Sequence, residues 1–182
     1  MLSVFIYSDL SKEILDKFKN LKLISTRSTG FDHIDLVECK ARYITISNVP
    51  FYGENTVAEH TFSLILSLSR NVHKSYLRES RNHFLISGLQ GFDLGGKTLD
   101  VIGVGYIGKY IIKIAKGFGM KIIAFDKYRD EMLAEILNFQ YTDELEKLLK
   151  DSCIVSLSVP LNKKTFHMID RECFKKMKKA QF

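Results

Sequence analysis

Apolar positions along the chain change period several times, and each change marks an element. Short apolar runs over residues 3–7 (SVFIY), 21–26 (LKLIST) and 42–49 (RYITISNV) read as strands. The last is stopped by Pro50, which lacks the amide a sheet ladder needs. Between the first two runs, Ile14 and Phe18 share a helical face behind Ser11, a candidate cap. Residues 27–36 form a glycine-containing loop that enters a short helix. Residues 50–55 (PFYGEN) have hinge composition. Val57, Leu64, Leu68, Val72 and Tyr76 then recur at helical spacing, which predicts one helix over residues 56–80. Thr56 and Glu59 at its start have the form of a capping box. Residues 81–96 carry Gly88, Gly91, Gly95 and Gly96 and read as an extended arm.

From Thr98 onward the pattern sharpens. The run LDVIGVG is a buried-type strand. A helix over residues 106–118 places Ile107, Ile111, Ile114, Ala115 and Phe118 on one side, and Gly119 stops it. A second strand spans residues 121–126. Thr142, with Asp143 and Glu144 behind it, opens a helix to about Lys150, and residues 153–159 form a further strand ended by Pro160. Such alternation predicts an α/β fold with a doubly wound parallel sheet.

Composition narrows the class. The chain has 182 residues, 46% of them hydrophobic and 26% charged, the usual balance of a soluble globular protein. No apolar run is long enough to span a membrane, and the start lacks the features of a signal peptide. Cys39, Cys153 and Cys173 form no CxxC pair, so neither a disulfide framework nor a metal site is expected, and a reducing cytoplasm is the expected compartment. The net charge of +6 gathers near the end, at Lys163, Lys164, Lys175, Lys176, Lys178 and Lys179. Without interleaved aromatics these lysines read as a solvated helix face, and no nucleic-acid partner is expected.

One turn carries specific chemistry. Gly103, Gly105 and Gly108 follow an apolar strand and open a helix, and Asp126 ends the next strand, eighteen residues after Gly108. In a Rossmann-type dinucleotide site the first glycine permits the tight turn, the second lets the backbone approach the pyrophosphate, and the third lets helix and strand pack closely. The helix N-terminus offers amides, here those of Tyr106 and Ile107, to the pyrophosphate. Asp126 would accept hydrogen bonds from the ribose diol and repel a ribose phosphate, favouring NAD over NADP. Lys127 and Arg129 nearby work against that preference. Residues 91–98 (GFDLGGKT) also satisfy the Walker A pattern, but a strand follows their Lys-Thr where a P-loop requires a helix, so the match is read as a turn.

With these motifs in order, the chain resembles the D-isomer-specific 2-hydroxyacid dehydrogenases, particularly their D-lactate dehydrogenase-like members. The resemblance rests on residues 27–35 (RSTGFDHID), 49–60 (VPFYGENTVAEH) and 103–108 (GVGYIG), on Asp126, and on residues 158–160 (SVP) with Thr165. It implies a partial, flavodoxin-like substrate domain over residues 1–52 and a C-terminally incomplete NAD-binding domain over residues 53–182, with the active site in the cleft between them. It further implies that the backbone at Thr29 and Gly30 holds the substrate carboxylate and that Tyr52 lines the substrate pocket. Val57 would pack near the nicotinamide, and Val159, Pro160 and Thr165 would line the cofactor pocket. The substrate implied is a small 2-hydroxy or 2-keto acid, and the region of residues 56–96 is implied to form a homodimer in the complete protein. Ser158 and Tyr106 depart from the family's usual histidine and basic residue, without removing a backbone donor.

The same resemblance places the family's catalytic arginine, glutamate and histidine beyond Phe182. His33, His60, His73, His83 and His167 match none of these, and His33 and His60 are read as structural. The expectation is therefore a chain, truncated at both ends, that cradles NAD without turning over substrate. Its cut sheet would expose an unpaired edge. A non-catalytic NAD-binding regulatory module and an inactive gene remnant are the alternatives.

Overall fold

The structure, a computed structural model, describes residues 1–177. Lys178 and Lys179 of the basic tail lie outside the described residues. The chain divides into two compact units, residues 1–53 with 160–166 and residues 54–159 with 167 onward.

The first unit holds a parallel sheet of β1 (Leu2–Val4), β2 (Leu23–Thr26) and β3 (Thr45–Ser47), in that order. α1 (Lys12–Leu15) and α2 (Leu36–Ala41) connect the strands. Leu10, Leu15, Ile24, Ile34, Cys39 and Ile44 fill its core with Val4. Each strand is shorter than its apolar run. β1 stops at Val4 because the Ser8 amide bonds to the Phe5 carbonyl and turns the chain, leaving Tyr7 exposed. β3 starts late because Tyr43 takes the left-handed conformation, φ 56°, which lets the Ile44 amide close α2 on the Cys39 carbonyl. α1 is a single turn; the Ser11 hydroxyl makes no cap bond, and Phe18 falls outside the helix. α2 is capped as its sequence suggests, with the Asp35 carboxylate accepting from the Glu38 amide at 2.9 Å.

The second unit begins with α3 (Glu54–Ser69) and α4 (Val72–Glu79). The alternation follows: β4 (Thr98–Ile102), α5 (Tyr106–Gly117), β5 (Lys121–Phe125), α6 (Glu131–Leu137), β6 (Gln140–Tyr141), α7 (Leu145–Asp151), β7 (Ile154–Leu157) and α8 (Arg171–Lys176). The strands are parallel in the order β6-β5-β4-β7, which is the doubly wound arrangement. β4 is central, with Leu99, Val101 and Ile102 fully buried. α5 presents Ile111, Ile112 and Ala115 to the core, and Phe62 of α3 stacks on Phe118 at 5.5 Å.

Several expectations need correction here. The helix predicted over residues 56–80 is two helices, broken where Asn71 adopts φ 53°. Thr56 lies inside α3 and does not cap it; Glu59 accepts instead from Asn55 Nδ2 at 2.6 Å. α7 starts at Leu145, and the Thr142 hydroxyl accepts from the Glu144 amide at 3.3 Å ahead of it. β7 is confined to four residues of its apolar run. α6 and β6 arise where the pattern indicated nothing. Among the described residues, no helix is long and apolar enough to cross a membrane.

Candidate dinucleotide site

β4 ends where the strand order reverses, with β5 on one side and β7 on the other. In open parallel sheets this switch leaves a crevice beyond the carboxyl ends of the strands. The chain leaves β4 through Gly103 at φ 94°. A Cβ there would stand 2.6 Å from the Ser158 carbonyl oxygen and 2.8 Å from a Val159 methyl. Gly108, in the first turn of α5, is equally constrained, since its Cβ would meet the Gly103 carbonyl oxygen at 2.1 Å. Gly105 differs from both. It is the N-cap of α5 at φ −70°, and a Cβ on it would find nothing within 4 Å. The protein's own packing leaves that space open, in front of the positive end of a twelve-residue helix.

Asp126 follows β5 and faces this turn. Its Oδ2 accepts from the Val104 amide at 2.6 Å and its Oδ1 from the Tyr128 amide at 2.7 Å. These two bonds fix the carboxylate while each oxygen keeps a further lone pair for a diol. Gly105, Tyr106 and Asp126 line one cleft of about 260 Å³, together with Val104, Lys109, Tyr128 and Asp130. Sequence reading did not single out the last four. Lys109 directly follows the third glycine, which was the available signal. Its amine pairs with Asp130 at 3.4 Å. Asp130 also caps α6 by accepting from the Leu133 amide at 3.0 Å. That amide first, and Lys109 second, hold the Asp130 carboxyl below the ordinary aspartate value.

Lys127 and Arg129 are not among the residues lining the cleft. The Lys127 amine lies 5.0 Å above the Tyr128 ring. The Arg129 guanidinium pairs with the Asp143 carboxylate, donates to the Thr142 carbonyl at 3.1 Å and covers the Tyr141 ring. Burial in turn raises the Tyr141 hydroxyl above its ordinary pKa.

The remaining residues singled out from sequence take varied positions. Ile107 packs against the core of the second unit, and Val159 packs with Ile102, Leu148 and Leu149. Val57 is exposed on α3. In the first unit, the buried Ser28 hydroxyl lies 2.6 Å from Thr26 Oγ1 and donates to the Gly30 carbonyl at 2.7 Å. Thr29 Oγ1 donates to the Val49 carbonyl at 3.1 Å, and Asn48 Nδ2 to the Thr29 carbonyl at 2.9 Å. Thr29 and Gly30 are thus held at the surface by Ser28 and Asn48, neither of which was given a role from sequence. Tyr52 is exposed. Thr165 Oγ1 donates to the Pro160 carbonyl at 2.5 Å and accepts from the Asn162 amide at 2.9 Å, closing that loop. Lys97 of the Walker-like run leads directly into β4 and places its amine 5.5 Å over the Phe92 ring. Among the described residues no histidine lines the cleft; His33 lies 3.4 Å from Thr26 Oγ1, and His60 is exposed on α3.

Comparison with known proteins gives a consistent result. The family model described as D-isomer specific 2-hydroxyacid dehydrogenase, NAD binding domain, matches residues 62–182. A 2-hydroxyacid dehydrogenase homolog of Haemophilus influenzae is 36% identical over 180 residues, covering 98% of this chain and 54% of that protein. The D-lactate dehydrogenase of Escherichia coli K12 is 36% identical over 177 residues, covering 96% of this chain and 53% of the enzyme. The crystal structure of D-lactate dehydrogenase from Aquifex aeolicus, complexed with NAD and lactic acid, is 42% identical with a TM-score of 0.91, covering 97% of this chain and 53% of that one. The chain spans about half the length of the curated relatives it matches.

Proposed function

This chain belongs to the D-isomer specific 2-hydroxyacid dehydrogenase family, and on that premise we propose that it supplies the NAD site of an oxidoreductase that interconverts a small D-2-hydroxy acid, of the lactate kind, and its 2-keto acid. The observation that carries this reading is the open space at Gly105 beside the Asp126 carboxylate. The residues fit the group: a Cβ at Gly105 would occupy room the fold itself does not use, and the first amides of α5 face it. In this reading Tyr106 and Ile107 donate backbone hydrogen bonds to the pyrophosphate, and Asp126 accepts from the ribose diol. NAD, when bound, supplies the hydride acceptor and NADH the donor.

The rest of the reading is finer. Residues 1–52 serve the substrate and residues 53–182 the cofactor. Thr29 and Gly30 hold the substrate carboxylate with backbone amides, and Tyr52 borders the substrate. Val57, Val159, Pro160 and Thr165 border the cofactor. In this reading none of these residues polarises the keto acid or transfers its proton, and the 182-residue chain binds NADH without turnover. In the complete protein, α3 and α4 pair two subunits; the exposure of Leu64, Leu68, Val72 and Tyr76 supports this.

Fluorescence titration of the folded chain with NADH tests the cofactor site. Asp126→Ala removes two charge-assisted bonds within the turn as well as the diol acceptor, and the Kd for NADH is expected to rise about tenfold or more. An unchanged Kd would sink the assignment.

A further inference from the structure

The cleft beside Gly105 carries more charge than a diol requires. Asp126, Asp130 and Lys109 all line it, two carboxylates against the one cationic side chain among the described lining residues. Lys109 reaches from α5, and its amine is spent on Asp130, 3.4 Å away. The other basic side chains that follow Asp126 are engaged elsewhere, Lys127 over a ring and Arg129 on Asp143.

On the basis of the NAD site proposed above, we infer that Asp130 is a specificity-determining residue, which excludes a phosphate-bearing ribose by neutralising Lys109 in the cleft that holds Asp126. A ribose 2′-phosphate entering there meets two carboxylates and a cation already paired. A 2′-hydroxyl carries no charge and meets no such cost. Asp126 repels the phosphate directly. Asp130 acts through Lys109, withholding the one cationic side chain among the described lining residues. Asp130 also caps α6, so the two roles must be separated, and the chemistry of caps allows it. Asparagine and serine cap a helix about as well as aspartate but carry no charge.

Calorimetric titration of the 182-residue chain with NADH and with NADPH at low ionic strength provides the test. In Asp130→Asn the ratio of the NADPH Kd to the NADH Kd is expected to fall about fivefold, the scale of one exposed ion pair. Asp130→Ser is expected to give the same fall. Adding Lys109→Met to Asp130→Asn is expected to restore the wild-type ratio, and 0.5 M salt to reduce the difference, as screening requires (~4 Å Debye length). A ratio unchanged in both Asp130 variants overturns the inference, as does a fall that survives Lys109→Met. These failures leave NADH binding by the wild-type chain intact. Absence of NADH binding by the wild-type chain overturns the cofactor site itself, and the role of Asp130 with it.

Discussion

Three glycines of one turn fall into two kinds, and substitution separates them. Gly103 and Gly108 are demanded by the fold, Gly103 through its positive φ and a backbone atom 2.6 Å from where a Cβ would stand, Gly108 through a backbone atom at 2.1 Å. Gly103→Ala and Gly108→Ala are each expected to cost about 1–3 kcal/mol of stability, read from urea unfolding. Gly105→Ala has an ordinary φ and open space, so its stability is expected within about 1 kcal/mol of wild type. Its NADH affinity is expected to fall tenfold or more, and wild-type affinity would remove Gly105 from the site. The motif spacing in the sequence already pointed to the turn at Gly103 and the close approach at Gly108, which follow from local geometry, though not to the Ser158 carbonyl packed against Gly103. Gly91 was not legible in the same way. Its Cβ would stand 2.0 Å from the Ser69 carbonyl oxygen, a tertiary constraint invisible to any pattern of neighbours. Lys109 and Asp130 escaped notice for a related reason, since their pairing depends on where α5 and α6 bring them.

α5 and β5 were legible to within one residue at either end, whereas β4 ends three residues before its apolar run does. β4 is buried almost throughout, and α5 and β5 bury one face each, as their own sequence patterns dictate. The helix predicted over residues 56–80 failed because its break is not written in apolar spacing. Asn71 tolerates the left-handed conformation, and its Nδ2 donates to the Gln90 carbonyl at 3.0 Å, tying the helix break to the arm. Asn71→Ala loses both features and is expected to destabilise by about 1–3 kcal/mol, whereas Asn71→Gly should recover the part due to φ. The midpoint of thermal unfolding distinguishes them. Caps give the elements a pH dependence. Backbone amides, Leu133 for Asp130 and Cys173 for Asp170, hold both carboxyls below the ordinary aspartate value. A lowered folded-state pKa contributes stability that is present above the unfolded value, about 3.9, and is lost as pH falls through the folded one. Urea midpoints measured from pH 6 down to pH 2 should fall less steeply in an Asp130→Asn/Asp170→Asn variant than in wild type.

At the scale of the whole molecule, one stretch of exposed apolar side chains runs along two consecutive helices. Leu64, Leu68, Val72, Tyr76 and Leu77 stand out along α3 and α4, and Phe84, Leu85 and Ile86 continue the exposure into the following arm. If this surface pairs subunits, as proposed, the complete protein sediments as a dimer, and Leu64→Glu with Leu68→Glu shifts it to a monomer in sedimentation equilibrium. A wild-type protein that stays monomeric at high concentration would remove the dimer reading. The chain as a heritable object bears one further mark, from the empty space beside Gly105. Mutation at Gly103 or Gly108 is judged by folding, in every descendant, whatever that descendant does. If the cofactor site is as proposed, mutation at Gly105 is judged chiefly by the ligand. A lineage that abandoned dinucleotides would be released at this one letter while the letters two before and three after stayed fixed. Descent would then record the history of cofactor use in the middle glycine and the history of the fold in its neighbours.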